Sequence, residues 1–198
     1  SKANIDNLLT KDEKKDAQDL ELNFMKSIIV LNEGGGKFTV KDLPVEVQFS
    51  PANGLIVEDF DGDGIQDILV SGNNFGNETS VGRYDASNGV YLKGTGSGSF
   101  KVIKNSGFYV PSDAKALVSI SNSKGEISLL ASQNRGPLKM FKTPLIKQAL
   151  QLIPLARSYS YELNGKKTKK EIYYGSGYLG QSARYIVLPN GAKGLKVN

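Results

Sequence analysis

The sequence predicts an all-β protein built mainly of antiparallel strands. Two observations predict it. Short apolar runs recur along the chain, each cut off by Gly, Asn or Asp. Two stretches roughly 60 residues apart also match one another in nearly one register, as an internal repeat requires.

Residues 1–23 are polar and charged, with Lys-Asp-Glu-Lys-Lys-Asp at 11–16 and weak helical spacing in Ile5, Leu8 and Leu9. Such a segment cannot bury much apolar surface, so it reads as a linker or a peripheral strap. From Phe24 the pattern becomes β-like. Residues 27–31 (Ser-Ile-Ile-Val-Leu) form a buried-strand candidate, 32–36 (Asn-Glu-Gly-Gly-Gly) a turn, and 37–40 a returning strand. Residues 54–58 and 68–70 are strands on either side of an acidic loop. Residues 117–120 and 127–130 read as another hairpin. Only 145–150 has a helix-like pattern.

The repeat follows by direct comparison. Ile68-Leu69-Val70-Ser71-Gly72-Asn73 matches Leu129-Leu130-Ala131-Ser132-Gln133-Asn134, and in that register Val57 falls on Val118 and Gly64 on Gly125. One residue out of register, Gly34, Gly36 and Phe38 fall on Gly96, Gly98 and Phe100. A unit of about 60 residues with four short strands has the form of a propeller blade with insertions. The expected organisation is a strap at 1–23, two blades of a partial β-propeller at 24–144, and a C-terminal β segment at 145–198.

Composition narrows the chemistry. The 198 residues contain neither cysteine nor histidine. No disulfide or thiolate metal site can form, and the commonest general base and zinc ligand is missing. The formal charge is +5, and Lys166, Lys167, Lys169 and Lys170 concentrate part of it beside Asn164-Gly165. Lysines at an edge-strand tip discourage aggregation. Without interleaved aromatics or arginines they do not make a nucleic-acid surface, so no nucleic-acid partner is expected. No apolar run approaches the roughly 20 residues of a membrane helix. Residues 1–7 show no basic start followed by an apolar run, so no leader is expected there.

The strongest chemical signal is Asp59-Phe60-Asp61-Gly62-Asp63-Gly64-Ile65-Gln66-Asp67. Carboxylates fall at loop positions one, three, five and nine. Calcium takes about six to eight hard oxygen ligands, which alternate residues of a tight loop can supply. Gly64 permits the turn after the third aspartate, and the Ile65 carbonyl is the natural backbone ligand. The predicted Ca2+ ligands are therefore Asp59, Asp61, Asp63, Ile65 and Asp67. An EF-hand is excluded, because its twelfth position is a Glu and here is Val70, and the flanks are strands. In the repeat register the four aspartates fall on Ile120, Asn122, Lys124 and Ser128. The second unit thus keeps the strands without the carboxylates, which points to a structural ion.

Val57 to Val70, containing Glu-Asp-Phe-Asp-Gly-Asp-Gly-Ile-Gln-Asp-Ile-Leu, resembles the FG-GAP/VCBS repeat, the calcium-loop blade of integrin-type propellers and of many bacterial surface proteins. Phe75-Gly76 and Asn32 with Gly36-Lys37-Phe38 also fit that repeat. Glu171-Ile-Tyr-Tyr-Gly-Ser-Gly-Tyr-Leu-Gly-Gln-Ser resembles the ASPIC/UnbV C-terminal segment, with Gly180 where that family has Ser. The resemblance implies a propeller, a home outside the cell or on its surface (a bacterial outer surface in particular), and no specific reaction. The function expected is a noncatalytic binding or assembly module for a protein or glycan, with Asn73–Asn77 and Tyr84 as candidate loop-tip contacts. A carbohydrate-active enzyme, a polysaccharide lyase or hydrolase using paired carboxylates or a Tyr/Lys base, is the alternative. Unclosed blades leave sheet edges that predict self-association, or blades supplied by a longer parent chain.

Overall fold

The computed structural model describes residues 4–18, 20–143, 149–151, 155–178 and 180–198. Within 1–23, Ile5–Leu8 (α1) and Lys11–Lys14 (α2) are single helical turns. Each is closed by a capping box, Asn4 with Asn7 and Thr10 with Glu13. Neither buries a residue, so local capping rather than packing holds them.

The β strands begin at Ile28–Gly34 (β1) and Lys37–Asp42 (β2), an antiparallel hairpin. Ala52–Glu58 (β3), Asp67–Gly72 (β4), Val90–Gly96 (β5) and Ser99–Val102 (β6) form a four-stranded antiparallel meander. Ala114–Ser121 (β7), Ile127–Gln133 (β8) and Lys139–Lys142 (β9) form a three-stranded one. Leu150–Gln151 (β10) pairs with Tyr185–Ile186 (β13). Ser158–Leu163 (β11) is flanked by Lys166–Glu171 (β12) and Lys193–Val197 (β14). The all-β reading holds. The helical expectation at 145–150 falls mostly outside the described residues, and Leu150 begins a strand.

Strand β4 shows why the sheets stack. All six of its residues are buried, and alternate side chains serve opposite faces. Ile68 and Val70 join Val90, Leu92, Leu43 and Val47 in one core, against which Ile29 of β1 packs. Leu69 joins Ile56, Leu117, Leu129 and Ala131 in a second core, shared with the three-stranded sheet. A continuous apolar run is what a strand covered on both faces needs. The β3–β7 approach is close because of Gly54. A Cβ there would meet Ser71 Oγ at 2.5 Å and Leu117 Cβ at 2.6 Å.

The two Gly-rich hairpins share one geometry. Gly34 pairs with Lys37 after a register shift between Asn32 and Gly34, and Gly96 pairs with Ser99 after a shift between Gly94 and Gly96. The sequence unit, however, is not one sheet. Its hairpin β5–β6 extends the sheet of β3–β4, because β4 pairs directly with β5. Hairpin β1–β2 stands as a separate two-stranded sheet. Its outer face leaves Val30, Phe38 and Val40 exposed. Pairing also corrects one register. Val57 opposes Ile68 while Ser119 opposes Leu129, so Val57 corresponds to Ser119 and not Val118.

Candidate metal centre

Strands β3 and β4 end in the acidic loop, and their pairing of Glu58 with Asp67 closes it. Asx-type hydrogen bonds then coil the chain. Asp59 Oδ1 accepts from the Gly62 and Asp63 N–H groups at 2.7 and 3.1 Å, and Oδ2 accepts from Gly64 N–H at 2.8 Å. Asp63 Oδ1 accepts from Ile65 N–H at 2.8 Å. Gly62 and Gly64 have φ of +80° and +88°, a backbone open mainly to glycine.

Asp67 is fully buried. Its Oδ1 accepts from Gly94 N–H at 2.8 Å, and its Oδ2 from Phe60 N–H at 3.1 Å and from the Tyr91 hydroxyl at 2.9 Å. Burial raises its pKa, and these three donors oppose the rise. Burial and then the neighbouring Asp67 carboxylate hold the Tyr91 phenol protonated well above its ordinary range. Gly94 is needed for the contact, since a Cβ there would lie 2.3 Å from the Gln66 carbonyl oxygen. Asp67 therefore ties the start of the loop to β5.

Of the five ligands read from the sequence, Asp59, Asp61 and Asp67 are brought together, with one carboxylate oxygen of each within 4.8 Å of the others. This is the one such acidic group among the described residues. The Asp63 carboxylate stands apart from that trio. Lys93 of β5 bonds to Asp61 and, at 2.8 Å, to Asp63. The Lys93 bond and the Ile65 N–H lower the Asp63 pKa. The Asp61 and Asp63 bonds raise that of Lys93. The three converging carboxylates are hard donors and fit a hard divalent cation. A ligand role for Asp63 would require Lys93 to move off it.

Sequence reading missed Lys93, Tyr91 and Gly94, which lie on a strand about 30 positions from the loop and carry no local motif. The proposed loop-tip contacts divide between interior and surface. Asn73 is fully buried, bonding Ser87 through both ends of its amide, and the Arg83 guanidinium lies 5.1 Å from the Phe75 ring centre. Tyr84 is half exposed, and its backbone bridges to Asn74.

A second polar group lies on the other side of β3. Glu58 is half-buried beside Lys170, whose Nζ is 3.9 Å away and donates to Gln66 Oε1 at 3.2 Å. Burial raises the Glu58 pKa and the Lys170 ammonium opposes it. Tyr159, Tyr161 and Ile186 form the core of the C-terminal sheet against this side. No protein-family model matches the chain, and no curated protein matches it.

Proposed function

We propose that this chain is a noncatalytic binding or assembly module of the FG-GAP/VCBS kind, with calcium holding its four-stranded sheet. One observation carries the reading: the loop between β3 and β4 brings a carboxylate oxygen from each of Asp59, Asp61 and Asp67 within 4.8 Å of one another. Asp59, Asp61, Asp63 and Asp67, with the Ile65 carbonyl, are the proposed ligands. The ion crosslinks the loop to β5 through Asp67 and does no chemistry. Lys93 competes for Asp61 and Asp63, so the site is weak, in the roughly 10⁻⁴–10⁻³ M range of extracellular calcium modules. That range agrees with a place at the cell surface, such as a bacterial outer surface.

The β1–β2 hairpin supports the assembly role. It repeats the turn of β5–β6 without two further strands beside it, and exposes Val30, Phe38 and Val40. A blade of a parent chain, or a second copy, covers that face in this reading. The C-terminal segment, resembling ASPIC/UnbV, packs against β3 and the loop.

Calorimetric titration of chelated protein tests the metal reading. Calcium should bind at one site and raise the melting temperature, while magnesium at equal concentration raises it less. Absence of both heat and a melting shift would overturn the assignment.

A further inference from the structure

A cleft of about 520 Å³ opens between β3, β7, residues 170–176 and residues 181–185. Small-molecule sites occupy roughly 300–1,000 Å³. Three separated parts of the chain contribute polar groups to it: Glu58 from β3, Ser119 from β7, and Lys170, Glu171, Tyr173 and Arg184 from the C-terminal segment. Ion pairs of the acidic loop play no part in it.

We infer that this cleft binds a neutral oligosaccharide. The inference rests on the reading of the chain as a binding module, and it does not depend on calcium.

The charges inside the cleft select the ligand. Within the lining Glu58 and Glu171 balance Lys170 and Arg184, and Lys170 lies 3.9 Å from Glu58. An anionic polymer would meet two buried or bordering carboxylates, and a cation would meet two bases. A ligand dense in hydroxyl groups can donate to the carboxylates and accept from the cations without carrying charge itself.

The aromatic groups fit the same ligand. Tyr173 is 65% exposed at the cleft, and its hydroxyl donates to Glu171 Oε2 at 2.7 Å. Tyr174 is 73% exposed beside it, with the Arg184 guanidinium 4.3 Å from its ring centre and Arg184 Nη1 donating to its hydroxyl at 2.8 Å. The hydroxyl bond to Glu171 limits the freedom of the Tyr173 ring, so its face is presented with less entropy to lose on binding. Flat faces of this kind stack on the C–H faces of sugar rings. The Gly-Ser-Gly-Tyr motif gains a role here: Ser176 Oγ accepts from Ser182 N–H at 2.7 Å and Gln181 Oε1 accepts from Gly175 N–H, which fixes the loop carrying the tyrosines.

The test titrates the full chain calorimetrically with cellohexaose, laminarihexaose, xylohexaose and mannohexaose, each in calcium and in chelator, with polygalacturonate as the acidic control. At least one neutral hexasaccharide should bind. Tyr173→Ala should weaken it roughly tenfold, and Tyr109→Ala, an exposed tyrosine outside the cleft lining, should not. Failure of all four neutral sugars, binding of polygalacturonate alone, or binding that Tyr173→Ala leaves unchanged would each overturn the inference. A calcium melting shift without sugar binding defeats this site and spares the metal reading. Sugar binding without any calcium response does the reverse.

Discussion

Asp67 and Asp61 belong to one acidic cluster, yet the structure gives them separable roles, and alanine substitution resolves them. Asp67→Ala removes the acceptor for Gly94 N–H, Phe60 N–H and the Tyr91 hydroxyl. Tyr91 borders an open cleft and can turn to water, so two backbone donors are left without a partner. Each such donor costs about 1–3 kcal/mol. The variant also relieves a carboxylate that burial opposes, so the net loss is about 2–4 kcal/mol. At about 2–4 °C per kcal/mol for a chain of this size, the melting temperature falls by roughly 4–16 °C in chelator, and by more in calcium, where the variant also lacks a proposed ligand. Asp61→Ala strands no buried donor, because Lys93 keeps Asp63. In chelator it should lie within about 0.5 kcal/mol of wild type. In calcium it should lack the increment that a cation at about 100 times its Kd supplies, about 2.7 kcal/mol. With no tryptophan in the chain, far-ultraviolet circular dichroism is the readout for thermal melts. An Asp67→Ala variant as stable as wild type in chelator would refute the anchoring role. Equal losses for Asp61→Ala with and without calcium would refute the metal role.

Two further outcomes follow from packing and charge. Gly54→Ala pushes a methyl group into Ser71 and Leu117 and should cost about 1–3 kcal/mol, read as a lower urea midpoint; an unchanged midpoint would mean β3 and β7 are not in close contact. Asp113, almost fully buried, meets Lys115 Nζ at 2.6 Å and Asn134 Nδ2 at 3.1 Å; burial raises its pKa, but these partners and Phe75 N–H outweigh it and leave the pKa lowered. A lowered folded-state value means its stabilisation is complete above the unfolded pKa of about 3.9 and is lost as pH falls below that. Asp113→Asn should therefore be less stable than wild type at pH 7, with the gap narrowing as pH falls below about 4; a gap that does not narrow as the pH is lowered would show that the pair is not the cause.

The strands were legible where the chain wrote its own local pattern. Residues 54–58, 68–70, 117–120 and 127–130 all lie within observed strands, since apolar runs between Gly and Asp breakers need only neighbours in sequence to be read. The loop was legible for the same reason. Long-range facts were not. Which sheet takes β5–β6 depends on the pairing of Val70 with Val90, and nothing at either residue announces it. Lys93 reaches Asp61 only because of that pairing. The polar cleft escaped entirely, because Glu58 reads as a strand end and Lys170 as part of a charged hairpin tip until β12 lies beside β3. The one-residue register error has a local cause: the second loop is a residue shorter than the first, so a single offset cannot fit both β3 with β7 and β4 with β8.

That shorter loop also bears on the proposed role of the aspartates. Between β7 and β8, Asn122 does alone what several carboxylates do between β3 and β4. Its Oδ1 accepts from Lys124 N–H at 2.9 Å and Glu126 N–H at 3.0 Å, and its Nδ2 donates to Glu126 Oε2 at 2.6 Å. Its backbone N–H donates to the Glu126 carbonyl at 3.0 Å. A neutral amide closes this turn, and no repulsion between like charges has to be offset. In the first loop Asp59 performs the same closure for Gly62, Asp63 and Gly64, yet it does so with Asp61 and Asp67 beside it. An amide at Asp59 would spare that repulsion but would face Gly64 N–H with its own NH2 and keep only the Gly62 and Asp63 bonds. Asp61 is the carboxylate the turn needs least, since within the loop it accepts only from Asp63 N–H, at 3.3 Å. Lys93 offsets part of their charge and reaches Asp61 and Asp63, leaving Asp59 and Asp67 without a cationic partner among the described residues. On the calcium reading, a divalent cation between them would supply what the turn itself does not.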